Sequence, residues 1–284
     1  MKIDFDCIPC FIRQALDAVR FATPDPDIHA SVLQKVLIAA GQMDLQQAPP
    51  MVGQIIHRLV RELSGNNDPY KSVKTESNQY ALQLYPSLRK QVEKSANSME
   101  TAVRLAIAGN IIDFGVSGAI SRNTIDETIL NSLSETYYGN MDFFLEKAAL
   151  ADRILYIGDN AGEIVFDRLL VEQLSGHSIT YAVRGGPVLN DATIADAEES
   201  GMTHMVEVID NGSDAPGTVL ADSSDVFLRA VENADLIIAK GQGNYETLSD
   251  IDKPIAFLLR VKCPVIARHI GCETGVPMVR TANL

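Results

Sequence analysis

The spacing of apolar residues divides the chain into two unlike parts near residue 150. In residues 1–150, apolar side chains recur every three or four positions, which is typical of helices that bury one face. Pro9 stands at the start of the first stretch, and Pro49 and Pro50 precede a later one that stops at Gly65. The spacing predicts further helices over about 27–41, 69–84, 86–108, 124–134 and 140–150, with a turn at 137–140 and no strand.

The second part has a different rhythm, in which short apolar runs alternate with amphipathic segments. The runs predict strands over 153–158, 178–183, 205–209, 236–239, 255–259 and 265–267. The segments between them predict helices over 162–174, 190–200, 223–231 and 245–249. This alternation indicates βαβ units and a parallel sheet, so we predict a helical domain over 1–150 and an α/β domain over 151–284.

Composition narrows the class of protein. The chain has 284 residues, a net charge of −13 and 46% apolar residues, as in an ordinary globular protein. The acidic balance argues against broad nucleic-acid binding, which needs basic patches. No apolar stretch reaches the roughly 18 residues of a membrane helix, and the acidic N-terminus is unlike a signal peptide. With four cysteines we expect the reducing cytoplasm and no disulfide scaffold.

Candidate chemistry concentrates in the segments that follow the predicted strands. The carboxyl ends of parallel strands share one edge of a sheet, and ligands bind there where the strand order reverses. Asp159 and Asn160 follow the first strand, and Asp191 lies in the segment after the second. Their oxygen atoms suit Mg²⁺ or Mn²⁺, although Asp159 or Asn160 could instead cap the following helix. Three further polar segments at the same edge favour a site.

Glycine-rich segments and one lysine suggest an anion site at the same edge. Gly185 with Gly186, and Gly241 with Gly243, could turn backbone N–H groups toward a phosphate, or could simply turn the chain. Lys240 comes directly after an apolar strand, so we expect a buried stem and an exposed ammonium that meets the phosphate. Neither a dinucleotide fingerprint nor a Walker motif is present, so nicotinamide and P-loop functions are weakly supported.

The remaining candidates give weaker signals. Cys7 and Cys10 form a C-x-x-C pair that could be structural, redox-active or half of a zinc site. A zinc site would need two more ligands, for which the sequence offers Cys263, Cys272 and His269. The other histidines show no ligand spacing. Asp68 with Lys74 is typical of a helix-start turn and Asn110 of a helix C-cap, although both motifs could reach the cleft.

Taken together, these motifs resemble the damage-control phosphatase family, formerly a domain of unknown function (number eighty-nine). The resemblance spans nearly the whole chain, and the early cysteine pair is similar to its prokaryotic branch. It implies a helical N-terminal region packed on a Rossmann-like α/β core, with a mostly parallel sheet and helices on both faces. The motifs that carry it are Cys7 to Cys10, Asp68 to Tyr70 with Lys74, Ala108 to Asn110, 158–163, 184–191 and 240–246.

The resemblance also implies a function and a site. It implies a divalent metal (Mn, Mg, Co or Ni) on Asp159, Asn160 and Asp191, and hydrolysis of phosphate esters of small metabolites, such as sugar phosphates or damaged phosphometabolites. Lys240 matches the family's basic residue and, with the N–H groups of 241–244, would bind phosphate and stabilise transition-state charge. Arg184 would add a contact, Glu163 or Asp191 would move a proton, and the helical part with Asp68, Lys74 and Asn110 would choose the leaving group. The phosphate-binding candidates are thus Lys240, Gly241, Gly243, Asn244, Arg184, Asn110, Asp68 and Lys74.

Two other functions fit the sequence less well. One is an S-adenosylmethionine-dependent carboxyl methyltransferase, an activity described for another branch of the family. Such an enzyme should carry an acidic residue at the end of its second strand, where this chain has Arg184. The other is a non-catalytic protein that binds a phosphorylated metabolite. The nucleophile, the physiological substrate and the oligomeric state cannot be derived from the spacing of residues.

Overall fold

The computed structural model describes residues 1–111 and 122–284. Its first three helices are α1 (Cys7–Ala22), α2 (Pro26–Gln42) and α3 (Pro49–Ser64), as the apolar spacing predicts. They bury one shared apolar core, in which Phe11, Val36 and Ile56 are at most 5% exposed. Gly65 ends α3 in the left-handed conformation, which glycine adopts without steric cost.

The next helices confirm the predicted helical region but not one of its boundaries. They are α4 (Lys71–Lys94), α5 (Ser98–Ala108) with the 3₁₀ turn Gly109–Ile111, α6 (Arg122–Ser132) and α7 (Met141–Leu150). The predicted break near 85 is wrong, because α4 continues through Pro86. An interior proline costs about 3 kcal/mol, which burial of Leu88 and Val92 beyond it offsets. The chain breaks instead at Asn97, whose side chain caps α5 at Glu100 N.

A seven-stranded sheet forms the second part of the described chain. In the order β1-β7-β6-β5-β2-β3-β4, all neighbours are parallel except β6 and β7. The order reverses around β2, so its carboxyl end lies at a switch point of the sheet. The strands are β1 (Tyr138–Gly139), β2 (Arg153–Ile157), β3 (Ser178–Val183), β4 (Glu207–Asp210), β5 (Leu236–Lys240), β6 (Ile255–Arg260) and β7 (Pro277–Ala282).

Helices cover both faces of this sheet, as the resemblance implies. The helices of this part are α8 (Glu163–Gln173), α9 (Ile194–Ser200), α10 (Asp225–Asn233), α11 (Gly241–Leu248) and α12 (Pro264–Ile270). Residues of α4, α5, α7 and α8 share a core with one face of the sheet, and residues of α10, α11 and α12 share a core with the other. In the described ranges, none of the helices combines the length and apolarity needed to cross a bilayer.

Two sequence predictions for this region are wrong, and one strand was not predicted. The segment 265–267 lies inside α12, which Pro264 opens at its first position and Gly271 closes in the left-handed conformation. The predicted turn at 137–140 contains β1, whose two residues pair with Met278 and Val279 of β7. Strand β7, which lies antiparallel to β6, was not predicted from the sequence.

Candidate functional site

The carboxyl ends of β2, β3 and β5 meet at one pocket of about 220 Å³. The sheet brings together the segments after these strands, as their positions predict. Seven of the predicted site residues line the pocket. They are Asn110, Asp159, Asn160, Glu163, Asp191, Gly241 and Gly243.

Backbone hydrogen bonds fix the segments that carry the predicted metal ligands. Ala192 N donates to the carbonyl of Asp159 over 2.8 Å, and Ala161 N donates to the carbonyl of Asn190 over 2.9 Å. These bonds make Asn160 and Asp191 partners in an isolated antiparallel bridge. The two acidic segments are therefore held side by side by main-chain atoms.

Arg184 lies between the two carboxylates and is 2% exposed. Its Nε donates to Asp191 Oδ2 over 2.6 Å, and its Nη2 lies 3.4 Å from Asp159 Oδ1. Its Nη1 donates to Asn244 Oδ1 and Thr218 Oγ1. Burial raises the pKa of Asp191 above its ordinary value, although the guanidinium opposes that effect. Arg184 therefore orients both acids from inside the protein, and its predicted contact with phosphate stays a prediction.

Glu163 opens α8 and connects the metal candidates to the buried interior. Its Oε2 accepts hydrogen bonds of 3.0 Å from the side-chain amides of Asn110 and Asn160. Burial alone would raise the pKa of Glu163, but the Lys240 ammonium and the two amides lower it below its ordinary value. Glu163 is therefore a fixed anion at neutral pH, and its predicted role in moving a proton stays untested.

Lys240 ends β5 as predicted, but its side chain is not exposed as predicted. Its side chain is fully buried, so the expected exposed ammonium is wrong. The Nζ atom donates to Glu163 Oε1 and Asp167 Oδ1, each over 2.6 Å, and to the Ala106 carbonyl over 2.8 Å. Two carboxylates hold the pKa of Lys240 above its usual value despite burial. All three N–H bonds have protein acceptors, because α8 and α5 close over the end of β5.

The N-terminus of α11 forms another wall of the pocket. Lys240 is the N-cap residue, and its side chain does not cap the helix. A Cβ on Gly241 would lie 1.9 Å from Asp159 Oδ2, and its φ of +77° also favours glycine. A Cβ on Gly243 would lie 2.1 Å from the Pro216 carbonyl. Glycine thus lets the first turn of α11 approach the acidic segment. The N–H groups of that turn have no partner within the helix, so they favour an anion.

Asn244 supports this turn rather than lining the pocket. It is fully buried, and its side-chain amide donates to the carbonyls of Gly158 and Lys240. Its Oδ1 accepts from Arg184 and Thr218. In this arrangement, the predicted contact of Asn244 with phosphate would come from its backbone, because its side-chain amide and oxygen already form hydrogen bonds within the protein.

Arg260 and Lys262 line the pocket and were missed by the sequence analysis. Arg260 ends β6 and donates to both oxygens of Glu135. Both residues follow a correctly predicted strand, so the rule that pointed to Lys240 would have found them. With Lys240 buried, these two residues are the cationic side chains among the described residues that line the pocket.

Asp68 and Lys74 do not line the pocket but pair with each other nearby. Lys74 Nζ lies 2.8 Å from Asp68 Oδ2 and 3.5 Å from Asp196 Oδ2. The buried Asn78, one turn along α4, accepts from Gly162 N over 2.7 Å, just before α8 begins. The described contacts make this part of α4 a support for the acidic segment, and substrate contacts of Asp68 and Lys74 stay predictions.

The cysteine pair lies in a separate pocket of about 480 Å³. Cys7 is buried, Cys10 is exposed, and Cys263 lines the same pocket. Burial raises the pKa of both Cys7 and Cys10, which disfavours reactive thiolates. Among the described residues, no group of three or more His, Cys, Asp or Glu side chains could hold a metal ion. The sequence hypothesis of a zinc site therefore finds no support in residues 1–111 and 122–284.

The candidate metal residues suit a small hard cation better than zinc. Two carboxylates and one amide give oxygen donors only, and Mg²⁺ or Mn²⁺ completes its shell with water. In the described part of the chain, Asp191 Oδ1 and the side-chain oxygen of Asn160 accept no hydrogen bond. These donors are therefore left for a ligand, and the residues fit the divalent metal that the resemblance implies.

Known proteins resemble this chain over nearly its whole length. Residues 3–277 match the family model of the damage-control phosphatase ARMT1-like domain. The chain is 38% identical over 287 residues to an uncharacterised protein of Methanocaldococcus jannaschii, covering 97% of this chain and 94% of that one. It is 35% identical over 282 residues to a damage-control phosphatase of Pyrococcus horikoshii, with 97% and 96% covered.

A solved structure gives the same result for the fold. The crystal structure of a DUF89 family protein from Pyrococcus horikoshii superposes with a TM-score of 0.91 and 33% sequence identity. The match covers 99% of both chains. The likeness therefore extends through the helical part and the sheet alike.

Proposed function

This chain belongs to the damage-control phosphatase family with the ARMT1-like domain, and on that premise we propose that it is a metal-dependent phosphatase of small phosphate monoesters. The observation that carries the proposal is the meeting of two carboxylates, one amide and an uncapped helix N-terminus at one pocket. Oxygen ligands for a hard cation and N–H donors for an anion are the two parts that phosphoryl transfer needs.

Asp159, Asn160 and Asp191 would hold the divalent cation. A cation bound there would supply positive charge that polarises a phosphoryl oxygen. Arg184 holds Asp159 and Asp191 in place through Nη2 and Nε, so the carboxylates keep their positions before the cation arrives. Mn²⁺, Mg²⁺, Co²⁺ and Ni²⁺ are all candidates for the site.

The phosphate group would lie against the first turn of α11. The N–H groups of Gly241, Gln242 and Gly243 carry the partial positive charge of a helix N-terminus. Arg260 and Lys262 line the same pocket and would neutralise charge on the phosphoryl oxygens. In this proposal the phosphate binds where the sequence predicts an anion site, and Arg260 at the end of β6 and Lys262 just after it supply the positive charge.

Lys240 and Glu163 would act as positioning residues. Lys240 fixes Glu163 Oε1, and Glu163 Oε2 in turn accepts from Asn160. This chain of hydrogen bonds fixes the side-chain amide, which leaves the Asn160 oxygen for the cation. In this scheme, Lys240 stabilises the metal site through its contact with Glu163 and does not contact the phosphate.

We expect a chelator-stripped preparation to release no phosphate from p-nitrophenyl phosphate until Mg²⁺, Mn²⁺, Co²⁺ or Ni²⁺ is added back. Asp159→Ala should reduce metal-dependent turnover by at least a hundredfold, because the site loses one of its two carboxylates. Phosphate release and circular dichroism of both proteins would be measured together.

Asp252→Asn is the matched control, since Asp252 is exposed and precedes β6 at the opposite edge of the sheet. It should keep the activity of the unmodified protein. Full metal-dependent turnover in Asp159→Ala, with the fold intact, would refute the assigned site.

The two alternative functions are less favoured. An S-adenosylmethionine site would need an acidic residue after β3, where the chain places a buried Arg184 bonded to Asp191. A protein that only binds a phosphorylated metabolite would show ligand affinity and no phosphate release with any of the four metals. The add-back experiment therefore separates the second alternative from the phosphatase.

A further inference from the structure

A second pocket adjoins the proposed phosphate site. It lies between α1, the start of α3 and the outer side of α11, and its volume is about 480 Å³. We call it the α1 pocket. Apolar side chains form much of its lining, namely Phe11, Pro49, Pro50, Val265, Leu189 and Pro216.

The two pockets share a wall. Leu189, Pro216, Gln242 and Gly243 line both of them. Pro216 also lies against α3, because a Cβ on Gly53 would come within 2.8 Å of its Cγ. A group bound beside Gly243 in the first pocket therefore lies next to the α1 pocket.

Leu189 holds an unusual backbone conformation at this junction. Its φ of 47° lies in the left-handed region, which costs a residue with a Cβ about 1–2 kcal/mol. Such conformations persist where the surroundings enforce them, and they concentrate at ligand sites. Two residues later the same segment carries Asp191, so one strained segment supplies a metal candidate and a wall of the α1 pocket.

The charge of the α1 pocket is unfavourable to a second anion. Of its acidic residues, Asp6 is neutralised by Arg268 at 2.7 Å. Asp17 and Glu246 also line it, against one cationic residue, Arg13, among the described lining residues. Burial raises the pKa of Glu246 to about 7, so this carboxyl is largely ionised at pH 8. A phosphate or carboxylate placed here would meet carboxylates and an apolar wall.

We propose that the α1 pocket holds the leaving group of the phosphate ester and selects esters whose alcohol part is uncharged and partly apolar. The proposal rests on the proposed function, and it deepens that function by naming a substrate class. Bisphosphates and phosphorylated carboxylic acids would then be poor substrates.

The test uses two esters that differ mainly in charge, 4-(hydroxymethyl)phenyl phosphate and 4-carboxyphenyl phosphate, with the Mn²⁺-loaded protein at pH 8. We expect kcat/KM to be about tenfold higher for the uncharged ester. Cys10 is exposed and lines the pocket, so Cys10→Lys should shift this ratio about fivefold toward the anionic ester. Cys10→Glu should shift it about fivefold the other way.

Gln34→Lys and Gln34→Glu are the matched controls, because Gln34 is exposed on α2 and lines neither pocket. Both should leave the ratio within twofold of the unmodified protein. If both esters are hydrolysed and the Cys10 variants leave the ratio unchanged, the leaving-group assignment is overturned while the phosphatase stands. If neither ester is hydrolysed with any metal, the phosphatase proposal fails.

The rate at which Cys10 is alkylated measures whether the α1 pocket is occupied, and this measurement does not depend on enzyme activity. Benzylphosphonate carries an apolar group on a stable phosphonate, and it should slow the reaction of Cys10 with iodoacetamide at least fivefold. Inorganic phosphate should slow it less than twofold, and Cys272, which lines neither pocket, should react equally in all samples. Mass spectrometry of each cysteine peptide gives the rates. Equal protection by phosphate and benzylphosphonate would contradict the proposal.

Discussion

The side chains of Lys240, Glu163 and Asp167 form a fully buried cluster with one positive and two negative charges. Tyr156 and Tyr181 donate hydrogen bonds of 2.7 Å to the two oxygens of Asp167. Burial and the neighbouring Glu163 raise the pKa of Asp167, whereas Lys240 opposes the shift. The Lys240 ammonium therefore offsets much of the free-energy cost of burying the two carboxylates.

Replacing Lys240 by methionine should lower the free energy of unfolding at pH 7 by about 3–5 kcal/mol, because two buried carboxylates lose their counter-charge. The loss should shrink as the pH falls toward about 4.5. Without the ammonium, the pKa values of Glu163 and Asp167 in the folded protein rise above those in the unfolded chain. Burying the two carboxylates then costs free energy only at pH values above their unfolded pKa, where the unfolded chain is ionised. Urea titrations at pH 7 and pH 4.5 would measure both effects.

Lys253→Met is the control for this experiment, since Lys253 is partly exposed and its contact is with the Glu232 carbonyl. It should change the unfolding free energy by less than about 1 kcal/mol. A loss of that small size in Lys240→Met would mean that the ammonium does not stabilise the cluster.

At the scale of elements, the start of α11 and the segment after β2 depend on each other. Gly241 is both the first residue of the helix and the neighbour of the Asp159 carboxylate. The helix can present its N–H groups to the pocket only because no side chain stands between them and Asp159. The first turn of α11 and the candidate metal ligand Asp159 therefore depend on each other for their positions.

Gly241→Ala should weaken Mn²⁺ binding and turnover by at least tenfold and cost about 1–2 kcal/mol of stability, since the added Cβ displaces Asp159 and φ is positive. Calorimetric Mn²⁺ titration and phosphate release measure the two effects. Gly176→Ala is the matched control, because nothing lies within 4 Å of its Cβ position. Equal Mn²⁺ affinity in the two variants would show that Asp159 does not depend on Gly241.

Much of the element pattern could be predicted from the sequence because local signals and tertiary packing agree there. The strands β2, β3 and β5 and the metal candidates after them follow from buried apolar runs. The helix break predicted at Pro86 is wrong because tertiary burial outweighs the local cost of the proline. The segment of α12 was predicted as a strand despite Pro264 at its start. The state of Lys240 could not be predicted, since its carboxylate partners come from another element.

At the scale of the molecule, helices α4, α5 and α7 share a core with one face of the sheet. Leu105, Ile107 and Phe144 from the first 150 residues pack in the same cluster as Ile154 and Tyr156 of β2. The two residues of β1 also extend the sheet from the helical side. The boundary predicted near 150 separates two sequence patterns, and whether it separates two folding units stays a prediction.

We expect one cooperative transition in urea, because α4, α5 and α7 of the first part and one face of the sheet are buried in the same core, so neither part can bury its apolar surface fully without the other. Far-UV circular dichroism, which is dominated by the helices, and the fluorescence of the eight tyrosines should change together. Residues 151–284 expressed alone should not fold. Two separate transitions, with helix content lost first, would instead support the division into a helical and an α/β domain.

The permanent charge of Arg184 between Asp159 and Asp191 has a consequence for the stability of the protein when the metal concentration changes. The guanidinium already offsets one of the two negative charges, so the fold depends less on a bound ion to neutralise the acidic pair. If the proposed cation binds between these acids, the same charge should weaken its binding and speed its exchange. When the ion is scarce, the protein should lose activity but stay folded. Adding the ion back should restore turnover without refolding.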